Sequence, residues 1–116
     1  MADSLQDLAR ALDRFAAARD WQQFHSPKNL ASALIVEAAE LLEHFQWTTE
    51  QQSRELSAEQ RAAVGAEMAD VLLYLVQLAD RTGVDLRAAA LEKLALNAEK
   101  YPAAQVRGDA RKYDEY

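Results

Sequence analysis

Two pairs of acids stand out by type and spacing: Glu37 with Glu40, and Glu67 with Asp70, each pair three residues apart. On a helix, residues three apart leave from one face, so each pair predicts two carboxylates pointing the same way. The first pair is embedded among Leu34, Ile35, Val36, Leu41 and Leu42, and the second is followed by Val71, Leu72, Leu73 and Leu75. Four ionised acids in such surroundings repel one another and lose hydration, both at a cost. A divalent cation shared by two facing pairs resolves the conflict. With oxygen donors and no cysteine in the chain, Mg²⁺, Mn²⁺ and Ca²⁺ are favoured over zinc, and Mg²⁺ is the ion ordinarily shared with phosphate oxygens. The competing reading is that the acids are solvated helix faces or partners of Lys and Arg, as most acids are. A di-iron carboxylate centre also gathers acids from several helices, but it calls for Glu-x-x-His repeats, and the sequence contains none. His44, four residues after Glu40 on the same face, reads as a polar surface group more than as a hydrogen-bonding partner of the metal ligands.

The elements that must carry these acids are helices. Leu5, Leu8, Leu12 and Phe15 recur at three- and four-residue intervals behind a capping Asp3 or Ser4, which predicts a helix to about Arg19. Ser26 followed by Pro27 starts a second. It is apolar nearly all round and runs to about Gln46, where Trp47 closes it, and Thr48 to Leu56 reads as a polar connection. Ser57 with Gln60 forms a capping box for a third helix through Glu67 and Asp70 to Arg81, before Gly83. Asp85 caps a fourth, through Leu86, Leu91 and Leu94 to Lys100, and Pro102 ends it. The tail from Ala103 to Tyr116 is charged, with no periodicity that predicts an element. No β alternation and no internal repeat occur, so the fold class is all-α: a bundle of four main helices.

The chain has 116 residues, 50% hydrophobic, with three glycines and two prolines, which suits a single domain, 1–116, of long regular elements. A helix apolar on more than one side needs a partner beyond its own small domain, so the bundle is expected to be completed by homo-oligomerisation. The net charge of −6 disfavours a role on nucleic-acid polymers, where Lys and Arg supply affinity. Met1 to Arg10 has no leader pattern and no uninterrupted apolar run approaches the ~18 residues of a membrane span. The expectation is a soluble cytoplasmic protein without a membrane partner.

The stretches RDWQQFHSPKNL (Arg19 to Leu30), EAAELLEHFQW (Glu37 to Trp47), EMADVLLYLVQLA (Glu67 to Ala79) and NAEKYPAAQVRGDARKY (Asn97 to Tyr113) together resemble, in order and spacing, the all-α nucleoside triphosphate pyrophosphatase superfamily in its MazG-like, dCTP pyrophosphatase branch. The likeness spans positions 19 to 113. It implies a MazG-like bundle assembled as a homodimer or homotetramer, Glu37, Glu40, Glu67 and Asp70 as ligands of Mg²⁺, and cleavage of a (deoxy)nucleoside triphosphate between the α and β phosphates. Leu12 stands where some animal members carry a histidine in the pocket, a departure that bears on which base is accepted.

Other positions can touch such a substrate. Tyr74, four residues after Asp70, leaves the same face with a hydroxyl for phosphate or sugar; core packing is its other possible role. Trp21 and Trp47 lie at helix boundaries, and the resemblance makes them part of an aromatic base pocket; taken alone they read as core anchors. His25 and Asn29 can line the same pocket, although Asn29 can equally stabilise the first turn of its helix. Lys93, Asn97 and Lys100 form an i, i+4, i+7 stripe, which suits a triphosphate or solvent alike; the resemblance favours Lys93 and Asn97 as contacts. Arg107, Arg111 and Lys112 can close over the phosphates as a basic flap. One of Glu37 and Glu40 orients or deprotonates the attacking water. Two other classes fit the bare residues: a metal- or nucleotide-binding module without turnover, and a helical interaction protein whose acids are dispensable.

Overall fold

The computed structural model describes residues 4–111; Asp3 and Lys112, named above as a cap and as part of a flap, lie outside them. The order of elements is α1 (Ser4–Ala18), a 3₁₀ turn (Gln22–Phe24), α2 (Pro27–Glu43), α3 (Glu50–Arg54), α4 (Ala58–Thr82), α5 (Leu86–Lys100) and α6 (Ala103–Val106), with no strand among the described residues. The all-α architecture with four main helices is as expected, and two short helices are additional. The chain divides into two compact units, one ending at Val84 and the other starting at Asp85.

In the first unit α4 packs against α1 and most extensively against α2. The caps explain where these helices begin. Ser26 accepts from the Asn29 N–H at 3.1 Å, with Pro27 in the first turn. Ser57 and Gln60 exchange side-chain bonds in a complete capping box, which occupies donors that would otherwise be orphaned. At its far end α4 closes on Gly83, left-handed at φ 72°, and the Val84 N–H reaches back to the Ala79 carbonyl at 2.9 Å. This six-residue closure needs a residue tolerant of positive φ, which glycine supplies.

Three expectations need correction. The second helix stops at Glu43, not near Gln46: the Phe45 and Gln46 N–H groups both return to the Leu42 carbonyl at 2.8 Å, and turns carry the chain through Trp47. The connection after it is not irregular. Thr49 and Gln52 form a second capping box that starts α3, whose five residues end at Arg54. The tail likewise contains one helical turn, α6.

By length and composition alone α4 could cross a membrane. Its apolarity is used here to pack on two helices, with Val64, Val76 and Ala79 buried, while Ala16 and Leu30 complete the buried apolar core among the described residues. That core is small for its apolar content: Ile35 is 67% exposed, Leu42 59%, Met68 56% and Trp47 88%. In the second unit, Asp85 caps α5 by accepting from the Ala88 N–H at 3.0 Å, and the helix ends at Tyr101, whose N–H bonds the Asn97 carbonyl at 2.8 Å just before Pro102.

Candidate metal and nucleotide site

The α2–α4 contact brings the two acidic pairs together. Ligand oxygens of Glu37, Glu67 and Asp70 all lie within 4.8 Å of one another. Glu37, Glu40 and Glu67 are half-buried and Asp70 is exposed, so the cluster is walled by helix on one side and open on the other. Glu40 joins the trio through Glu37, to whose carboxyl it is hydrogen-bonded. That contact, followed by burial, the neighbouring Glu67 and the charges of Glu40 and Asp70, pushes the Glu37 carboxyl up from 4.5 to about 7. Crowded carboxylates retain a proton because a second negative charge close by is costly.

One oxygen of Glu37 and one of Glu67, Oε2 in each, are out of contact with water and find no hydrogen-bond partner. A buried acceptor without a donor is destabilising. A cation corrects this: hard divalent ions take carboxylate oxygens at about 2.0–2.6 Å, which places ligand oxygens up to about 5 Å apart across the ion, and oxygens within 4.8 Å of one another fit that span. The donor set is all oxygen, so the residues present suit a divalent cation.

Tyr74 is half-buried one turn beyond Asp70 on α4. His44, one turn beyond Glu40, is exposed and lines a cavity of about 410 Å³ with Thr48, Gln52, Glu55, Gln60 and Val64. It does not belong to the carboxylate trio.

The aromatic residues occupy two corners of the first unit. Trp21, 45% exposed, meets Phe15 edge-on with ring centroids 5.7 Å apart. His25 is half-buried after the 3₁₀ turn. The Asn29 side-chain amide donates to the Phe24 carbonyl at 2.9 Å and so ties the aromatic segment to α2; this tether, rather than support of the first helical turn, is what its side chain does here. Trp47, in the turn after α2, is 88% exposed, which rules out the role of core anchor within the chain.

The cationic residues belong to the second unit. Lys93 is exposed and Asn97 half-buried on α5, and Arg107 is exposed at the end of α6. The Arg111 guanidinium grips Asp109, with Nη2 to Oδ2 at 2.6 Å and Nε to Oδ2 at 2.9 Å, and this holds the Asp109 carboxyl below its usual range.

Comparison with known proteins agrees with these features. A sequence model described as the MazG-like family matches residues 33–116. The chain is 47% identical to dCTP pyrophosphatase 1 of Homo sapiens over 114 residues, covering 97% of this chain and 67% of that protein. It is 46% identical to the Bos taurus protein of the same name, covering 95% and 66%. It thus spans about two thirds of the length of these curated relatives. Among solved structures, the crystal structure of a pyrophosphatase from Archaeoglobus fulgidus superposes with a TM-score of 0.81 at 37% identity, covering 88% of this chain and 95% of that one. The chain belongs to the MazG-like family.

Proposed function

We propose that this protein is a Mg²⁺-dependent nucleoside triphosphate pyrophosphohydrolase that converts dCTP, or a modified dCTP, to the monophosphate and pyrophosphate. The observation that carries this is the carboxylate cluster of α2 and α4, with two buried oxygens that lack a partner, in a chain nearly half identical to dCTP pyrophosphatases. Removal of surplus or modified nucleotides in the cytoplasm is the corresponding task. Residues 1–116 act as one functional domain, and the exposed apolar side chains of α2 and α4 support assembly as a homodimer or homotetramer.

Glu37, Glu40, Glu67 and Asp70 hold the cation, which when bound neutralises charge on the phosphates during displacement. One of the Glu37–Glu40 pair accepts the proton of the water that attacks the α-phosphorus. As the new P–O bond forms, the bond from that phosphorus to the bridging oxygen breaks and pyrophosphate departs. Glu37 suits the role of proton acceptor because its carboxyl is raised to about 7, the range in which a general base works best. Tyr74 donates to phosphate or sugar. Trp21, His25 and Trp47 serve the base, with Asn29 supporting the Trp21 segment through the Phe24 carbonyl, and Lys93, Asn97, Arg107 and Arg111 serve the phosphates, Arg111 by leaving Asp109.

The test is turnover of a panel (dCTP, 5-methyl-dCTP, dTTP, dUTP, dATP, CTP and ATP) with and without Mg²⁺, with products identified, for wild type and Glu40→Gln. Mg²⁺-dependent release of pyrophosphate with a deoxycytidine bias, abolished in the variant, is the expected result. Orthophosphate as product overturns the bond assignment. Mg²⁺ stabilisation without turnover indicates a binding module, and no response to Mg²⁺ indicates an interaction protein.

A further inference from the structure

The corner between α1 and the 3₁₀ turn is held in a conformation that its sequence does not favour. Asp20 has φ 54° and is the non-glycine residue with positive φ among those described. It ends α1 as Gly83 ends α4. The Asp20 N–H bonds the Ala17 carbonyl at 3.2 Å, and the next N–H, that of Trp21, reaches back to Ala16 at 3.0 Å. Such a closure ordinarily takes glycine at the left-handed position, because any Cβ there is strained, and it is commonly accompanied by a contact between the following side chain and the last turn of the helix. Trp21 makes that contact, edge-on to Phe15.

An acid at this position brings one interaction that glycine cannot. The Gln23 amide donates to the Asp20 carbonyl at 3.0 Å, which glycine would also offer, and to the Asp20 carboxylate at 3.1 Å, which it would not. Arg19, the preceding residue, lies over Phe15: its guanidinium carbon is 3.6 Å from the Phe15 ring centroid and its Nη1 donates to the Phe15 carbonyl at 3.0 Å. Residues 19, 20 and 23 therefore brace the corner out of which Trp21 projects half-exposed. Strain tolerated in a short segment and offset by local bonds is characteristic of a side chain whose direction matters.

We infer that Asp20, clamped by Gln23, is a positioning residue: it fixes the direction of the Trp21 indole and thereby affects nucleotide binding without touching the substrate. This rests on the reading of Trp21 as a base contact. It predicts a loss expressed in KM, with kcat little changed, when the clamp is removed and the backbone corner is kept.

The experiment compares Asp20→Gly, Asp20→Asn, Asp20→Ala, Gln23→Ala and Trp21→Ala in the full chain, with dCTP and Mg²⁺ as the probe. Acrylamide quenching of Trp21 fluorescence is measured in parallel in a Trp47→Phe background. Asp20→Gly relieves the positive φ and keeps the carbonyl acceptor but loses the carboxylate bond to Gln23, so it should melt no lower than wild type, raise KM severalfold and make Trp21 more quenchable. Asp20→Asn tolerates the left-handed region and still accepts from Gln23, so it should behave as wild type. Wild-type KM and quenching in well-folded Asp20→Gly and Gln23→Ala, where Trp21→Ala raises KM, overturn the proposal. If Trp21→Ala leaves KM unchanged, the base-contact reading fails instead, and the quenching series alone decides whether Asp20 directs the indole.

Discussion

Glu37 on α2 and Glu67 on α4 each direct one carboxylate oxygen into a place where it has neither water nor a hydrogen-bond donor. Two helices that pack across such a pair do so against electrostatic repulsion, and the cation inferred to bind there changes the sign of that interaction.

Mg²⁺ should raise the melting temperature in a saturable way, since binding only to the folded state stabilises it by about 2.7 kcal/mol at a free ion concentration of 100 Kd, on the order of 10 °C for a domain of this size. Glu67→Gln should melt higher than wild type in EDTA, because it removes one repelling charge, and should lose most of the Mg²⁺ response. Scanning calorimetry of both proteins in both conditions checks this. A wild type indifferent to Mg²⁺ removes the metal reading.

A pH dependence follows from the Glu37 carboxyl, raised from 4.5 to about 7. An acid that binds its proton more tightly when folded makes the folded state take up protons, so the metal-free protein should lose stability as pH rises from about 4.5 to about 7. With Mg²⁺ bound, the carboxylate form is the one stabilised and the fall should flatten or reverse. Melting temperatures across that range in EDTA and in MgCl₂ give both curves. Glu37→Gln should lack the fall, and binding of Mg²⁺ near pH 6.5 should release protons measurable by calorimetry in buffers of different ionisation enthalpy.

Much of this was legible in the sequence because its signals are local. Ser26-Pro27, Ser57 with Gln60, and Asp85 marked helix starts, and the ExxE and ExxD spacings marked the cluster. What sequence reading missed was either weakly encoded or long-range. Glu-His-Phe-Gln-Trp contains no glycine or proline, so nothing signalled the stop at Glu43. Thr49 with Gln52 repeats the box that was recognised at Ser57, but a five-residue helix leaves no periodicity to accompany it. The turn at Asp20 lacks the glycine that usually marks one. Asp13, whose carboxyl is raised by burial and then by Asp80, pairs across the α1–α4 contact and is visible only once these helices pack.

Trp47 separates a binding role from a packing one. At 88% exposure it contributes little to the fold of its own chain, so Trp47→Ala should leave the melting temperature of the monomeric unit within about 2 °C, the range of neutral surface changes. Stacking on a base is worth roughly 1–3 kcal/mol, so KM for dCTP should rise by roughly 5- to 150-fold. A variant with unchanged KM removes Trp47 from the base site.

Ile35 and Leu42 are two helical turns apart on α2 and are 67% and 59% exposed. Residues seven apart share a stripe, and Ile35, two residues before Glu37, points away from the carboxylates. Water-facing isoleucine and leucine on α2 suit the proposed contact with a second copy, because burial against an identical surface stabilises by about 25 cal/mol for each Å² of apolar area. Ile35→Arg and Leu42→Arg should therefore shift the protein from a dimer or tetramer to a smaller species in sedimentation velocity, and lower its melting temperature in a concentration-dependent manner. Should wild type sediment as a monomer, the stripe needs another occupant. Should the variants remain oligomeric, the interface lies on another face of the chain.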